Sequence, residues 1–125
     1  MSEITDYYNK AKRKYEAGNN LYESEFYSES IVHYYYSMFL LSKILLFRKD
    51  LESRTHEGTI YLLKKHYVDT GELDEKFYKG LATSETLRNQ VDYGSIDEIS
   101  EPIAREKRNI CSKYLTEVKK ILDND

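Results

Sequence analysis

The spacing of apolar residues along the chain predicts helices. Apolar side chains recur every three or four positions in most segments, as on one face of an α-helix. The most apolar stretch runs from Tyr34 to Phe47 and is apolar on nearly all sides. One face carries Ile31, Tyr35, Met38, Ser42 and Leu45, with Phe39 and Leu46 beside them, and the other side carries His33, Tyr36, Leu40, Ile44 and Phe47. Neighbours must cover such a helix on several sides. We therefore predict a central helix over residues 26–47 whose second face contacts another helix or a second subunit.

The central stretch is predicted to be a core helix and not a membrane span. A run of about fourteen apolar residues is short for a bilayer, which needs roughly 20. Ser37, Ser42 and Lys43 also interrupt it.

An amphipathic helix is predicted before the central one. Its apolar stripe begins at Ile4, and its outer side is basic, with Lys10, Arg13 and Lys14. The sequence Gly18-Asn19-Asn20 predicts that this helix ends or bends there, because glycine and asparagine are weak helix formers. Ser24 is the predicted cap of the central helix.

Three further helices are predicted after the central one. Thr55 is the expected N-cap of a short helix over residues 56–67, and Gly71 marks a turn. A fourth helix is predicted from about Leu73 to Gly94. The segment 95–98 reads as a capping box, and the last helix should start near Ser100 with Pro102 in its first turn. The fold class is thus all-α, an antiparallel up-and-down bundle of four to five helices, with one domain over residues 1–125.

The composition limits the classes of protein to which the chain can belong. The chain has 125 residues, one proline, five glycines and a formal net charge of −3, which argues against non-specific coating of nucleic acid. This net charge does not exclude a local basic site. The single cysteine, Cys111, provides neither a disulfide framework nor a metal cluster, and the N-terminus lacks the pattern of a signal peptide. We expect a soluble cytoplasmic protein without a cofactor, a metal or a membrane contact.

Arg88 is the most unusual residue of the predicted fourth helix. It interrupts an apolar stripe formed by Leu73, Phe77, Leu81, Ser84, Leu87 and Val91. A guanidinium there needs a partner, and Asp92, four residues later, is the nearest candidate. One interpretation is a structural salt bridge. The other is a phosphate-binding arginine held by Asp92, with Tyr93 available for stacking or hydrogen bonding.

Histidines and tyrosines provide the remaining candidates. His56 follows the predicted cap at Thr55, where it could face a phosphate or solvent, and His33 lies on the second face of the central helix. The three histidines, the third being His66, lack the spacing of a metal site. Consecutive helical residues point about 100° apart. At least one of the tyrosines at 34–36 must therefore face away from the core, and base stacking is the alternative to packing for these rings.

The order of these segments resembles the HEPN superfamily, the higher eukaryotes and prokaryotes nucleotide-binding domains. The resemblance rests on an N-terminal amphipathic helix, a Gly71 turn and three motifs, and it covers about residues 5–122. The motifs are Tyr35-Tyr36-Ser37-Met38-Phe39, Thr55-His56-Glu57-Gly58 and Arg88-x-x-x-Asp92-Tyr93.

This resemblance implies a homodimeric bundle, often the toxin-like partner of a small nucleotidyltransferase. Many members are ribonucleases that use an Arg-x4–6-His motif in a cleft between two subunits. Arg88 and Asn89 match the start of that motif, but the histidine position is Tyr93, and no histidine follows Arg88. Tyrosine, with an ordinary pKa of about 10, needs strong activation to replace histidine. His56 or His33 could supply the missing imidazole from another helix.

Three functional hypotheses follow. The first is a toxin-like protein that binds a nucleotide or RNA. The second is an interaction module that dimerises and docks on a nucleotidyltransferase, and the third is an active metal-independent ribonuclease. Catalysis would involve Arg88 and Tyr93. Nucleotide or RNA binding would involve Arg88, Asn89, Asp92, Tyr93, Tyr35, Tyr36 and His56.

Overall fold

Five α-helices form nearly all of the structure, a computed structural model that describes residues 2–94 and 98–125. They are α1 (Ser2–Glu23), α2 (Tyr27–Arg48), α3 (His56–Leu63), α4 (Glu75–Asp92) and α5 (Glu101–Asp123). A π-helical turn, Lys64–Val68, continues α3. The described ranges contain no strand, so the predicted all-α bundle is confirmed. The predicted capping box at 95–98 lies mostly outside the described residues.

α1 and α2 form a tightly packed antiparallel hairpin. The Ser37 hydroxyl donates a hydrogen bond to the Ala11 carbonyl over 2.7 Å. Nearer the turn, Gly18 faces the ring of Tyr34, and a Cβ atom at residue 18 would lie only 2.7 Å from a ring carbon. The predicted helix end or bend at Gly18 is wrong, because α1 continues to Glu23. Gly18 allows a close helix contact, and this contact outweighs its weak helix propensity.

α2 is the central helix, as predicted. Tyr34 and Tyr35 are fully buried, whereas Tyr36 is half-buried, so the expected division within the tyrosine triplet is confirmed. On the second face Ile44 is buried, and His33, Tyr36, Leu40 and Phe47 are half-buried at the surface. By length and composition this 22-residue helix could cross a membrane, so the argument from length fails. It is nevertheless 61% buried among the other helices over its most apolar window, as a core helix is.

The helix ends match the predictions in part. Thr55 caps α3 as expected, since its hydroxyl accepts a hydrogen bond from the Gly58 amide. Ser24 does not cap α2; Phe26 occupies that position without a side-chain hydrogen bond. α4 begins at Glu75, two residues later than expected, because the Asp74 carboxylate caps it through the Lys76 amide.

The core brings α2, α3 and α4 together at one level. One apolar cluster, centred on α2, involves all five helices, and Phe77 stacks on Tyr114 within it at 5.1 Å. A smaller cluster around Ile31, Ile99 and Ala104 closes the end where α1 turns into α2. Pro102 lies in the first turn of α5, as predicted. The last turns of α4 and the start of α3 thereby lie against the middle of α2.

Candidate functional site

Arg88 lies on the inner side of α4, and two carboxylates bind it. Its Nε and Nη2 donate hydrogen bonds to Oε1 of Glu85 over 2.9 and 2.7 Å. Its Nη1 donates to Asp92 over 3.1 Å, so the predicted pairing of Arg88 with Asp92 is confirmed. The Arg88 side chain is only 14% exposed, and Glu85 is similarly covered, whereas Asp92 is 43% exposed. Glu85 is therefore the inner partner of the arginine and Asp92 the outer one.

The central helix supplies aromatic rings to the same arginine. The guanidinium carbon lies 5.1 Å from the ring centre of Tyr35 and 5.7 Å from that of Tyr36. Both distances allow cation–π attraction. α2 therefore lies alongside α4, with two of its tyrosine rings within reach of Arg88.

Glu85 also connects Arg88 to His56 at the start of α3. Its second oxygen, Oε2, lies 3.6 Å from Nδ1 of His56. The imidazole stacks on Phe39 of α2, with ring centres 4.4 Å apart and an interplanar angle of 15°. Arg88, Glu85 and His56 thus meet between three helices. We refer to these residues, with Tyr35, Tyr36, Phe39 and Asp92, as the Arg88 cluster.

The hydroxyl of Tyr35 fixes the orientation of the imidazole. It lies 2.5 Å from Nδ1 of His56. Burial raises the pKa of Tyr35 well above its ordinary value, and the charge and hydrogen bond of Glu85 act in the same direction. The hydroxyl thus keeps its proton, and the donor in its contact with Nδ1 depends on the tautomer of the imidazole. In the tautomer that carries its proton on Nδ1, Nε2 of His56 is the acceptor, on a side chain that is 36% exposed.

The electrostatics of the cluster favour pairing within the protein. Burial acts to lower the pKa of Arg88, but the hydrogen bond and charge of Glu85 outweigh this and hold it above its ordinary value. A guanidinium has five N–H groups, and the bonds to Glu85 and Asp92 engage three of them. The other two have no acceptor among the described residues. One permanent cation thus faces two carboxylates, with N–H groups left for a ligand.

The structure brings most of the predicted site residues together. Arg88, Asp92, Tyr35, Tyr36 and His56 all belong to the cluster. Asn89 lies beside Arg88 on α4 and is half-buried. Tyr93 is separate: it is 83% exposed at the end of α4, without a hydrogen bond or ring contact to any described member of the cluster. Its assignment as a catalytic residue stays a prediction.

The sequence interpretation missed two members of the cluster. Glu85 is the closest partner of Arg88 and precedes it by three residues, a spacing at which helical side chains meet, so this signal was available. The position of Phe39 beside the apolar face of α2 predicts a core residue. Its contact with His56 depends on the path of the chain between α2 and α3, which no local pattern reveals.

The described residues offer no candidate metal site. In the ranges 2–94 and 98–125, no group of three or more histidine, cysteine or carboxylate side chains is arranged to hold an ion. Cys111 is fully buried as a free thiol, and burial raises its pKa to about 12.

Comparison with known proteins gives consistent matches over nearly the whole chain. A family profile described as the HEPN domain matches residues 4–123. A protein of Methanocaldococcus jannaschii named "Putative toxin MJ0142" is 33% identical over 113 residues, which cover 90% of this chain and 77% of that protein. A second protein of that organism, "Putative toxin MJ0605", is 27% identical, with 90% and 86% covered. A "UPF0332 protein" of Archaeoglobus fulgidus is 31% identical, with 83% and 82% covered.

Proposed function

This chain belongs to the HEPN domain family, and from this premise we propose that it is a toxin-like protein that binds a nucleotide or RNA at the Arg88 cluster. The observation that carries the proposal is the meeting of a guanidinium, an imidazole and a half-buried tyrosine ring at one partly exposed point. A phosphate can accept hydrogen bonds from the two remaining N–H groups of Arg88, and Tyr36 and His56 offer ring surfaces to a base. Two relatives carry the word toxin in their names, which supports the toxin-like part.

Binding of a labelled mononucleotide and a labelled RNA oligonucleotide tests this function. We expect Arg88→Ala to weaken binding of both at least tenfold, because the guanidinium contacts the phosphate. Arg105→Ala is the matched control. Arg105 also pairs with a carboxylate one helical turn away, but its side chain is 53% exposed on α5.

Folding must be separated from binding in this test, since Arg88 is nearly buried. His56→Gln provides a second variant, at a half-exposed position. The glutamine keeps polar atoms beside the Phe39 ring. Circular dichroism and urea unfolding check that each variant is folded. If folded Arg88→Ala and His56→Gln bind both ligands as tightly as the wild type, the Arg88 cluster is not the binding site.

A second candidate function, metal-independent RNA cleavage, is favoured by the position of His56. The imidazole lacking after Arg88 in the sequence is present in space, since Glu85 touches both Arg88 and His56. In the arrangement described above, Nε2 of His56 accepts a proton from a ribose 2′-hydroxyl, whose oxygen attacks the adjacent phosphorus. The bond from phosphorus to the 5′-oxygen breaks, this oxygen takes a proton from solvent, and Arg88 stabilises the negative charge on the phosphate.

Cleavage of a fluorophore–quencher RNA in the presence of EDTA distinguishes catalysis from binding. If the cluster is catalytic, His56→Gln should abolish cleavage even at RNA concentrations that saturate its weakened binding. Tyr93→Phe tests the alternative assignment: loss of cleavage in that variant, with His56→Gln still active, would transfer the proton-transfer role to Tyr93. If the wild-type protein binds RNA without cleaving it, the catalytic function is excluded and only the binding function remains.

Partners form the last part of the proposal. We propose that the protein acts in the cytoplasm as a homodimer and pairs with a small nucleotidyltransferase as its antitoxin. Exposed apolar side chains around one end of the bundle support a subunit contact there: Phe26 is 55% exposed, Tyr93 83% and Ile103 40%.

Light scattering after size exclusion tests the dimer. Ile103→Asp should produce a monomer, and Tyr61→Asp should not, because Tyr61 is 62% exposed on α3, away from that end. A monomeric wild-type protein contradicts this part. Co-purification with the product of a neighbouring nucleotidyltransferase gene tests the partner.

A further inference from the structure

A basic groove runs between α1 and α2, outside the Arg88 cluster. Its volume is about 550 Å³. Three cations of α1 line it at positions i, i+3 and i+4, which place them on one helical face. The complete lining is Asp6, Asn9, Lys10, Arg13, Lys14, Ala17 and His33. We call this feature the α1 groove.

The cations of the α1 groove are distinguished by their clustering: three of them lie on one helical face, and none forms a described salt bridge. Every salt bridge among the described residues involves some other basic side chain. Within the groove, three cations face a single carboxylate, Asp6, so the groove is positive on a chain whose net charge is −3. Lys10 and Arg13 are exposed and Lys14 is half-buried, so all three can be reached by a ligand.

The groove and the Arg88 cluster lie on two sides of the same stretch of α2. The hydrogen bond from Ser37 to the Ala11 carbonyl places residues 10–14 of α1 beside residues 34–40 of α2. On the other side of that stretch, Tyr36 contacts the guanidinium of Arg88 and the ring of His56. His33, which lines the groove, lies one helical turn before Tyr36 on the half-buried face of α2.

We propose that the α1 groove binds the sugar-phosphate backbone of single-stranded RNA, and that the strand crosses α2 at Tyr36 to reach the Arg88 cluster. This inference rests on the proposed function and extends the same site by a second subsite. Unpaired cations beside aromatic rings are the usual arrangement for single-stranded nucleic acid, because charge follows the backbone and rings stack on bases. An acidic protein segment would require only the positive charge of the groove, whereas RNA also uses the adjoining rings for stacking. The rings therefore favour RNA as the ligand.

The test compares binding of a labelled 12-nucleotide RNA, followed by fluorescence anisotropy at several salt concentrations. Replacing the three groove cations together (Lys10→Ala, Arg13→Ala and Lys14→Ala) should weaken binding at least tenfold at low salt. Each lost phosphate contact also reduces the slope of log affinity against log salt by about 0.7, so the slope should fall by about 2.

A second triple variant matches the charge change elsewhere. It combines Lys76→Ala, Lys113→Ala and Lys120→Ala, at exposed positions whose side chains form no described salt bridge. We expect this control to bind RNA within about twofold of the wild type. Equal weakening in the two triple variants, or none in the groove variant, overturns the α1 groove as an RNA subsite. Competition by polyglutamate as effective as by unlabelled RNA of equal charge also overturns it, in favour of an acidic protein partner.

Mononucleotide binding separates failure of this inference from failure of the proposed function. The groove variant should bind a mononucleotide like the wild type and lose only the extra affinity for the oligonucleotide. If Arg88→Ala binds both ligands normally while the groove variant loses the oligonucleotide, the proposed site fails and the groove stands. If the wild type binds no RNA at low salt, both fail.

Discussion

Basic side chains have opposite environments in the Arg88 cluster and in the α1 groove. Arg88 is nearly buried, and two carboxylates and two rings surround it. Lys10, Arg13 and Lys14 lie on the surface, and none of them takes part in a described salt bridge. Both regions flank the middle of α2, but only the first neutralises its positive charge within the protein.

This difference indicates a division of roles. Buried charges need partners in the native state, so the cation of the Arg88 cluster contributes to the fold and is pre-positioned for a ligand. Two carboxylates also make the cluster a poor attractor of a distant anion. Unpaired surface cations contribute little to stability, but they attract phosphates over several ångströms. We infer that the α1 groove attracts the RNA from a distance, whereas the Arg88 cluster, on the other side of α2, makes the precise contacts.

The largest expected effect is on stability, from removal of the inner carboxylate. Glu85→Ala leaves a nearly buried guanidinium with Asp92 as its only acidic partner among the described residues, so the free energy of unfolding should fall by about 3 kcal/mol. Urea unfolding measures this change. Glu75→Ala, which breaks the exposed pair with Lys79 on the same helix, should lower it by less than about 0.5 kcal/mol. Similar losses of stability in Glu85→Ala and Glu75→Ala would show that the buried pair with Arg88 contributes no more than an exposed salt bridge.

A smaller loss is expected from Gly18→Ala, at the contact that sets the position of α1 on α2. The added Cβ atom would collide with the buried Tyr34 ring, whose hydroxyl bonds to Asn19 over 2.6 Å. Overpacking should lower the free energy of unfolding by about 2 kcal/mol, despite the better helix propensity of alanine. Asn20→Ala, at an exposed position two residues later, should be neutral or slightly stabilising. A stabilised Gly18→Ala variant would contradict the close helix contact.

The pH dependence of unfolding tests the protonated state of Tyr35. Its pKa is raised in the folded protein, mainly by burial, so its contribution to stability is complete below the unfolded value near 10 and declines as pH rises above it. For one such tyrosine the decline is about 1.4 kcal/mol per pH unit. Urea unfolding between pH 9 and 11 should therefore show a shallower loss in Tyr35→Phe than in the wild type. Identical slopes would mean that Tyr35 is not protected from ionisation.

The smallest expected effect on stability comes from the α1 groove. The triple alanine variant at Lys10, Arg13 and Lys14 should unfold within about 0.5 kcal/mol of the wild type, because surface residues without partners rarely matter for stability. Thermal and urea unfolding measure it. A loss of several kcal/mol would show that these cations have structural partners and would weaken the comparison.

Much of the fold could be predicted from local pattern. The stripes of apolar residues identified the central helix and its four neighbours, and Thr55 was recognisable as a cap because hydroxyl capping is a local interaction. Gly18 was misjudged because its role depends on Tyr34, sixteen positions later, and helix propensity contains no information on that contact. The prediction for Ser24 is wrong because backbone hydrogen bonds extend the end of α1: the Phe26 amide donates to the Leu21 carbonyl, and α2 starts only after Phe26.

From residue spacing alone, the contacts within the candidate site could be predicted only where its residues share a helix. Arg88 and Asp92 were paired from their spacing on α4, and the same rule would have found Glu85. The position of His56 beside Arg88 is set by the connection from α2 back to the start of α3 and by stacking on Phe39. These are contacts between helices, so their geometry appears only in three dimensions.

An NMR titration of ¹⁵N-labelled protein with a short single-stranded RNA tests the division of roles most directly. We expect the Nε–H signal of Arg88 and the ring nitrogens of His56 to shift, together with the amides of residues 10–14, at the same RNA concentrations. Shifts confined to other surfaces, with the Arg88 and His56 signals unchanged at saturation, would contradict both the site and its proposed function.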